Sequence, residues 1–132
     1  DQGRTIKVEQ KRNIIMEKIS FQIVLRNTVT AHIIYSSLPI SGKANKWGNE
    51  YYFYTNLTIK NEESAKDVIN KGEIAYWSVG NAVAIGYGTT PKSLGSEIRL
   101  ADKCNIWADT DFDLDKLKNI YCLKTIKIIQ AV

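Results

Sequence analysis

The chain has 132 residues, 44% of them hydrophobic and 24% charged, which fits one soluble globular domain with a core large enough to need no staples. Its net charge of +4 is spread over scattered lysines, half of it within residues 1–15, so solvated faces are expected rather than a nucleic-acid footprint. No run reaches the ~18 apolar residues of a membrane span, the start lacks a signal-peptide core, and a lone His32 with Cys104 and Cys122 outside any Cys-x-x-Cys pair excludes a Cys/His zinc site. The expectation is a cytoplasmic protein with no cofactor, metal or membrane partner.

Asp1–Asn13 is polar, mixed in charge and without a sustained period. Met16 is the only methionine, and a strand pattern starts just after it. Residues 1–15 are therefore read as a disordered extension and set outside the fold, with the domain spanning 16–132. Lys18–Leu25 alternates, with Ile19, Phe21, Ile23 and Leu25 on one face, as a half-buried strand does. Arg26-Asn27 makes a turn, and Thr28–Thr30 suits the start of another strand. Ala31–Leu38 fits either element, and a helix is favoured, with Thr30 as its N-cap and Pro39 as its stop. His32 then lies on the helix surface.

Ile40–Asn49 reads as a polar, glycine-bearing loop around Trp47-Gly48. Glu50–Thr55 reads as a strand, with Tyr51 and Phe53 on one face and Glu50, Tyr52 and Tyr54 on the other, and Leu57–Ile59 extends it. Glu62–Ile69 suits a short helix, because its acidic start favours the helix dipole and Asn70-Lys71-Gly72 ends it. Ile74–Trp77 and Ala82–Tyr87 flank Ser78-Val79-Gly80-Asn81, whose Gly and Asn tolerate positive φ, and form a β-hairpin. Glu97–Leu100 and Cys104–Ala108 read as strands. Asp113 caps a helix at Leu114–Asn119, and Thr125–Ala131 closes the chain as a strand. About eight short strands with two or three short helices imply a closed barrel or a sandwich.

Several blocks then stand out together: Asn27-Thr28-Val29-Thr30-Ala31, Asn45-Lys46-Trp47-Gly48-Asn49-Glu50, Gly72-Glu73-Ile74-Ala75-Tyr76-Trp77, Gly88-Thr89-Thr90-Pro91, Glu97-Ile98-Arg99 and Asn105. In combination, from about Met16 to Val132, they resemble the small prokaryotic cyclophilin-like proteins of unknown function, with Thermotoga and archaeal members. The resemblance implies a closed, eight-stranded cyclophilin-like barrel and a helix at Ala31–Leu38. Two positions depart from the family's pattern. Ser78-Val79-Gly80 replaces Pro-x-Gly after Tyr76-Trp77, and Gly86 replaces a second aromatic, a change expected to open room beside Tyr87.

Cyclophilins that isomerise prolyl bonds lower a barrier of ~20 kcal/mol by placing an arginine near the prolyl nitrogen. That arginine lies in a Phe-x-Arg context. Arg4 and Arg12 fall in the extension and Arg26 in a turn, so Arg99 is the single catalytic candidate, and its neighbour Glu97 is expected to pair with it. The chain has no Gly-x-Ser-x-Gly elbow. Gly86-Tyr87-Gly88 is too short for a phosphate loop. Asp109, Asp111 and Asp113 lack the glycine and glutamate that complete a calcium loop. What remains is a set of aromatics, with Trp47 in a polar loop the foremost, suited to bind a peptide or a planar small molecule. The candidate ligand-binding residues are Trp47, Glu50, Tyr52, Trp77, Tyr87, Thr90 and Arg99. A non-catalytic binding barrel is the first reading, a divergent prolyl isomerase the second, and a weak nucleic-acid-binding barrel the third.

Overall fold

The computed structural model describes residues 11–16, 19–120 and 123–130. The described strands form one ten-stranded antiparallel sheet that curls into a nearly closed barrel with a single seam. In order across the sheet come β3 (Ile40–Lys43), β10 (Thr125–Gln130), β1 (Lys11–Met16), β2 (Ile19–Leu25), β9 (Ile98–Asp109), β7 (Glu73–Trp77), β8 (Ala82–Gly86), β5 (Glu50–Tyr54) and β4 (Asn45–Lys46), with β6 (Lys66–Ile69) alongside β9. No helix among the described residues is long and apolar enough to cross a membrane.

β1 corrects the expected domain boundary. Residues 11–15, set aside as an extension, run antiparallel to both β2 and β10, with Ile14 opposite Phe21 on one side and Ile128 on the other. Ile14 and Met16 are fully buried. The strand's inward face is too short to show a period in the sequence, and it gains its meaning only between two partners. Residues 1–10 lie outside the described residues.

Two other segments differ from expectation. Glu62–Ile69 holds no helix; β6 occupies its end and pairs with the first half of β9, Ile69 opposite Ile98. The acid at its start serves a different helix. Glu62 accepts the Thr30 N–H at 3.2 Å and the Thr30 hydroxyl, and so answers a free amide in the first turn of α1 (Val29–Ser37). The cap of α1 is Thr28, whose hydroxyl accepts from Ala31 N at 3.0 Å, in place of the expected Thr30. The segment expected as a loop, Ile40–Asn49, contributes β3 and β4, while Leu57–Ile59 belongs to no strand.

The hairpin forms as read, with Ile74 opposite Ile85, Trp77 opposite Ala82 and Asn81 at φ 54. The two strands expected near residue 100 are one. β9 pairs with β6 over Ile98–Cys104 and then with β7 over Asn105–Asp109. The helix at Leu114–Asn119 is 3-10, and Asp113 caps it through Asp115 N.

Alternation along these strands splits the apolar residues into two clusters. Phe53, Val83, Ile85, Tyr87, Trp107 and their neighbours fill the barrel interior with Ile34 of α1. Ala75, Ala84, Leu100, Cys104 and Ile106 gather on the opposite face, where the first half of β9 and β6 cover β7 and β8, and Tyr52 and Trp77 pack at the margin.

Candidate ligand-binding site

The second cluster leaves a cavity of about 230 Å³, and its construction follows from register. Trp47 N–H donates to Glu50 O at 2.9 Å, closing a two-residue hairpin loop, Gly48-Asn49. Gly48 sits at φ +60, and a Cβ there would stand 2.9 Å from Pro91 Cδ, so only glycine lets this loop turn tightly against the Thr90-Pro91 corner. Trp47 and Glu50 are thereby placed opposite one another on one face, and Tyr52 follows two residues later on the same face. Next to β5 runs β8, with Gly86 opposite Glu50, Ala84 opposite Tyr52 and Ala82 opposite Tyr54. β8 thus shows only small residues outward, between the aromatics of β5 and Trp77 of β7. Leu100, Ala101 and Cys104 of β9 complete the lining.

The aromatic walls are held in place. Trp77 Nε1–H donates to Asp102 Oδ2 at 2.8 Å. Its ring lies on Gly80, where a Cβ would come within 2.1 Å of Trp77 Cζ3. Tyr52 meets it edge-on, with ring centroids 6.4 Å apart and planes at 79°.

Glu50 is 7% exposed, and its Oε1 is buried without a hydrogen-bond partner. Burial pushes its carboxyl up to about 7. Cys104 is a buried free thiol that donates to Asp102 O at 3.3 Å. Burial first, then the charges of Glu50, Asp102 and Asp67, push the thiol up to about 12, so it stays protonated at neutral pH and is no nucleophile. Among the described residues no group of three or more His, Cys, Asp and Glu is placed to hold a metal ion.

The family model described as cyclophilin-like matches residues 10–128. The chain belongs to the cyclophilin-like family. This cyclophilin-like chain is similar to the hypothetical protein AF2241 from Archaeoglobus fulgidus, known from a solution structure, at 30% identity and a TM-score of 0.80, over 98% of this chain and 100% of that one. It shares its fold with McbB, solved in complex with tryptophan, at 15% identity and a TM-score of 0.67, over 92% of this chain and 46% of McbB. No curated protein matches the chain. The start of the family match at residue 10 agrees with β1 lying inside the barrel.

Of the seven candidate ligand-binding residues, the cyclophilin-like barrel brings four to one cavity: Trp47, Glu50, Tyr52 and Trp77. The other three do not line it. Tyr87 points into the interior and stacks on Tyr51, with centroids 5.6 Å apart. Thr90 is buried, donates its hydroxyl to the Arg99 carbonyl, and ties the corner to β9. Arg99 donates from Nε to Glu97 at 2.6 Å and from Nη1 to Asp67 at 2.9 Å, the carboxylate pairing expected for it. Gly86 opens no room beside Tyr87, because Ile98 Cγ2 stands 2.8 Å from where its Cβ would be. Ala84, Leu100, Ala101 and Cys104 line the cavity without being marked by any motif in the sequence. The alternation Ala82-Val83-Ala84-Ile85-Gly86-Tyr87, small then large, is the sequence signal for the first of them.

Proposed function

We propose that this cyclophilin-like barrel is a binding protein for a small molecule with a compact ring or apolar group, seated between Trp47, Tyr52 and Trp77. The carrying observation is Glu50, a carboxyl nine-tenths buried in the cavity wall with an unpartnered oxygen. Leaving such a group unpaired costs about 1–3 kcal/mol, and a ligand that supplies the missing partner recovers it. The cavity, about 230 Å³, is smaller than the ~300–1,000 Å³ of pockets for drug-sized ligands, which favours a small molecule over a length of peptide. McbB, of the same fold, is described in complex with tryptophan, a ring-bearing molecule.

The test follows the indole N–H resonances of the three tryptophans while indole, benzyl alcohol and benzylamine are added. Trp47 and Trp77 should shift, and Trp107, fully buried in the interior, should stay still as an internal control. A set of ring compounds that moves none of the resonances, or moves Trp107 equally, overturns the reading.

A further inference from the structure

We propose that the ligand is a small organic ammonium, its cation held between the Glu50 carboxylate and the rings of Trp47, Tyr52 and Trp77. This deepens the reading of the cavity as a binding site and rests on it. Three observations carry it. The first is the wall: two indoles and a phenol line the cavity, and aromatic faces attract cations most strongly where water is excluded. Trp77 also donates its N–H to the Asp102 carboxylate at 2.8 Å, which makes its ring richer in electrons.

The second is the balance of charge. Among the described residues, no lysine or arginine lines the cavity. Of the cations on the surrounding elements, Arg99 is held by Glu97 and Asp67, Lys66 is held by Glu73, Lys92 donates to the Ala101 carbonyl at 2.8 Å, Lys46 lies 6.0 Å from the Tyr51 ring centroid, and Lys103, next to Cys104, is exposed. The titratable groups that feel Glu50 are Tyr52 and Cys104, both neutral in their protonated forms and both shifted up, by burial first and by Glu50 among the other causes. Asp102 and Asp67 add negative charge around Cys104. Among the described residues that line the cavity with it, Glu50 therefore meets no cationic side chain.

The third is Oε1 of Glu50, buried and without a donor. A primary ammonium answers both deficits at once, with a charge-assisted hydrogen bond to the carboxylate and cation–π contact to the walls, while choline meets the charge with its quaternary nitrogen and the missing donor with its hydroxyl. A neutral alcohol or amide supplies the donor and leaves the charge unmatched.

The experiment titrates the intact protein calorimetrically with two matched pairs: benzylamine against benzyl alcohol, and choline against its uncharged isostere 3,3-dimethylbutan-1-ol. At least one ammonium should bind about tenfold or more tighter than its neutral partner. Choline does not titrate, so its affinity should rise between about pH 6 and pH 8 as Glu50 ionises. Glu50→Gln, checked for fold by circular dichroism, should remove both the preference and the pH dependence. Tyr52→Leu, which keeps apolar area and loses the ring, should weaken the ammonium more than the alcohol. Neutral partners that bind as tightly as the ammoniums overturn this inference and leave the binding reading standing. A preference for cations that survives Glu50→Gln also overturns it. Failure of all four compounds, with still Trp47 and Trp77 resonances, overturns both.

Discussion

Glu50 exposes a conflict between sequence position and environment. Its place on β5 turns it outward from the interior, yet the arm of β9 and the Trp47 loop bury it. The resulting pKa of about 7 lies above the 4.5 of an ordinary glutamate. An acid whose folded pKa is raised makes the native state bind the extra proton, so stability falls as pH rises from about 4.5 and levels off above about 7. The upper bound on that loss is roughly 3 kcal/mol, from 1.36 kcal/mol per pKa unit. Urea unfolding from pH 4.5 to 8 should therefore show wild type losing ground to Glu50→Gln across this window. Equal slopes for the two proteins would refute the burial argument. Glu73, Glu97 and Asp115 have lowered values, and their opposite contribution cancels in the comparison.

Arg99 is the residue on which prolyl isomerisation would depend. Two carboxylates hold its guanidinium at 2.6 and 2.9 Å, which directs it away from an incoming amide and offsets its field. A short X–Pro peptide should therefore relax in the presence of the protein at its uncatalysed pace, tens to hundreds of seconds at 25 °C. Strong acceleration that disappears in Arg99→Ala with the fold intact would reverse this conclusion.

At the scale of elements, β1 shows how much a short strand can carry. It supplies fully buried Ile14 and Met16 and covers the edges of both β2 and β10. Ile14→Ala should cost about 2–5 kcal/mol, read as a lower urea midpoint with unchanged slope. A loss under about 0.5 kcal/mol, the size of a surface substitution, would show the strand to be dispensable. The elements visible in the sequence are those with a period of their own: the alternation of Ile19, Phe21, Ile23 and Leu25, the opposed faces of Glu50–Tyr54, and the hairpin with its Gly80-Asn81 turn. Those hidden are made by partners. β4 has two residues and β6 four, too few for a pattern. β9 reads as two strands because polar Asp102-Lys103 interrupts it, near where it passes from one partner strand to another. Trp47 could be picked out because it stands in a polar loop beside Gly48, and Glu50 and Tyr52 because they share one face of a strand. Cys104, Leu100 and Ala101 could not, because only long-range pairing of β9 brings them to that wall.

At the scale of the whole molecule, the interior cluster and the cavity cluster share no side chain among the described residues, although they share strands. In β8 and the residue after it, positions 83, 85 and 87 belong to the interior and positions 82, 84 and 86 to the outer face. The barrel therefore carries two interleaved messages on one backbone, one read by the fold and the other by whatever enters the cavity. A lineage can rewrite the second, exchanging Trp47, Tyr52 or Trp77 for other side chains, while the first keeps the chain folded. Descendants of one such barrel would then come to hold chemically unrelated molecules at the same place, and a shared architecture would say little about a shared ligand.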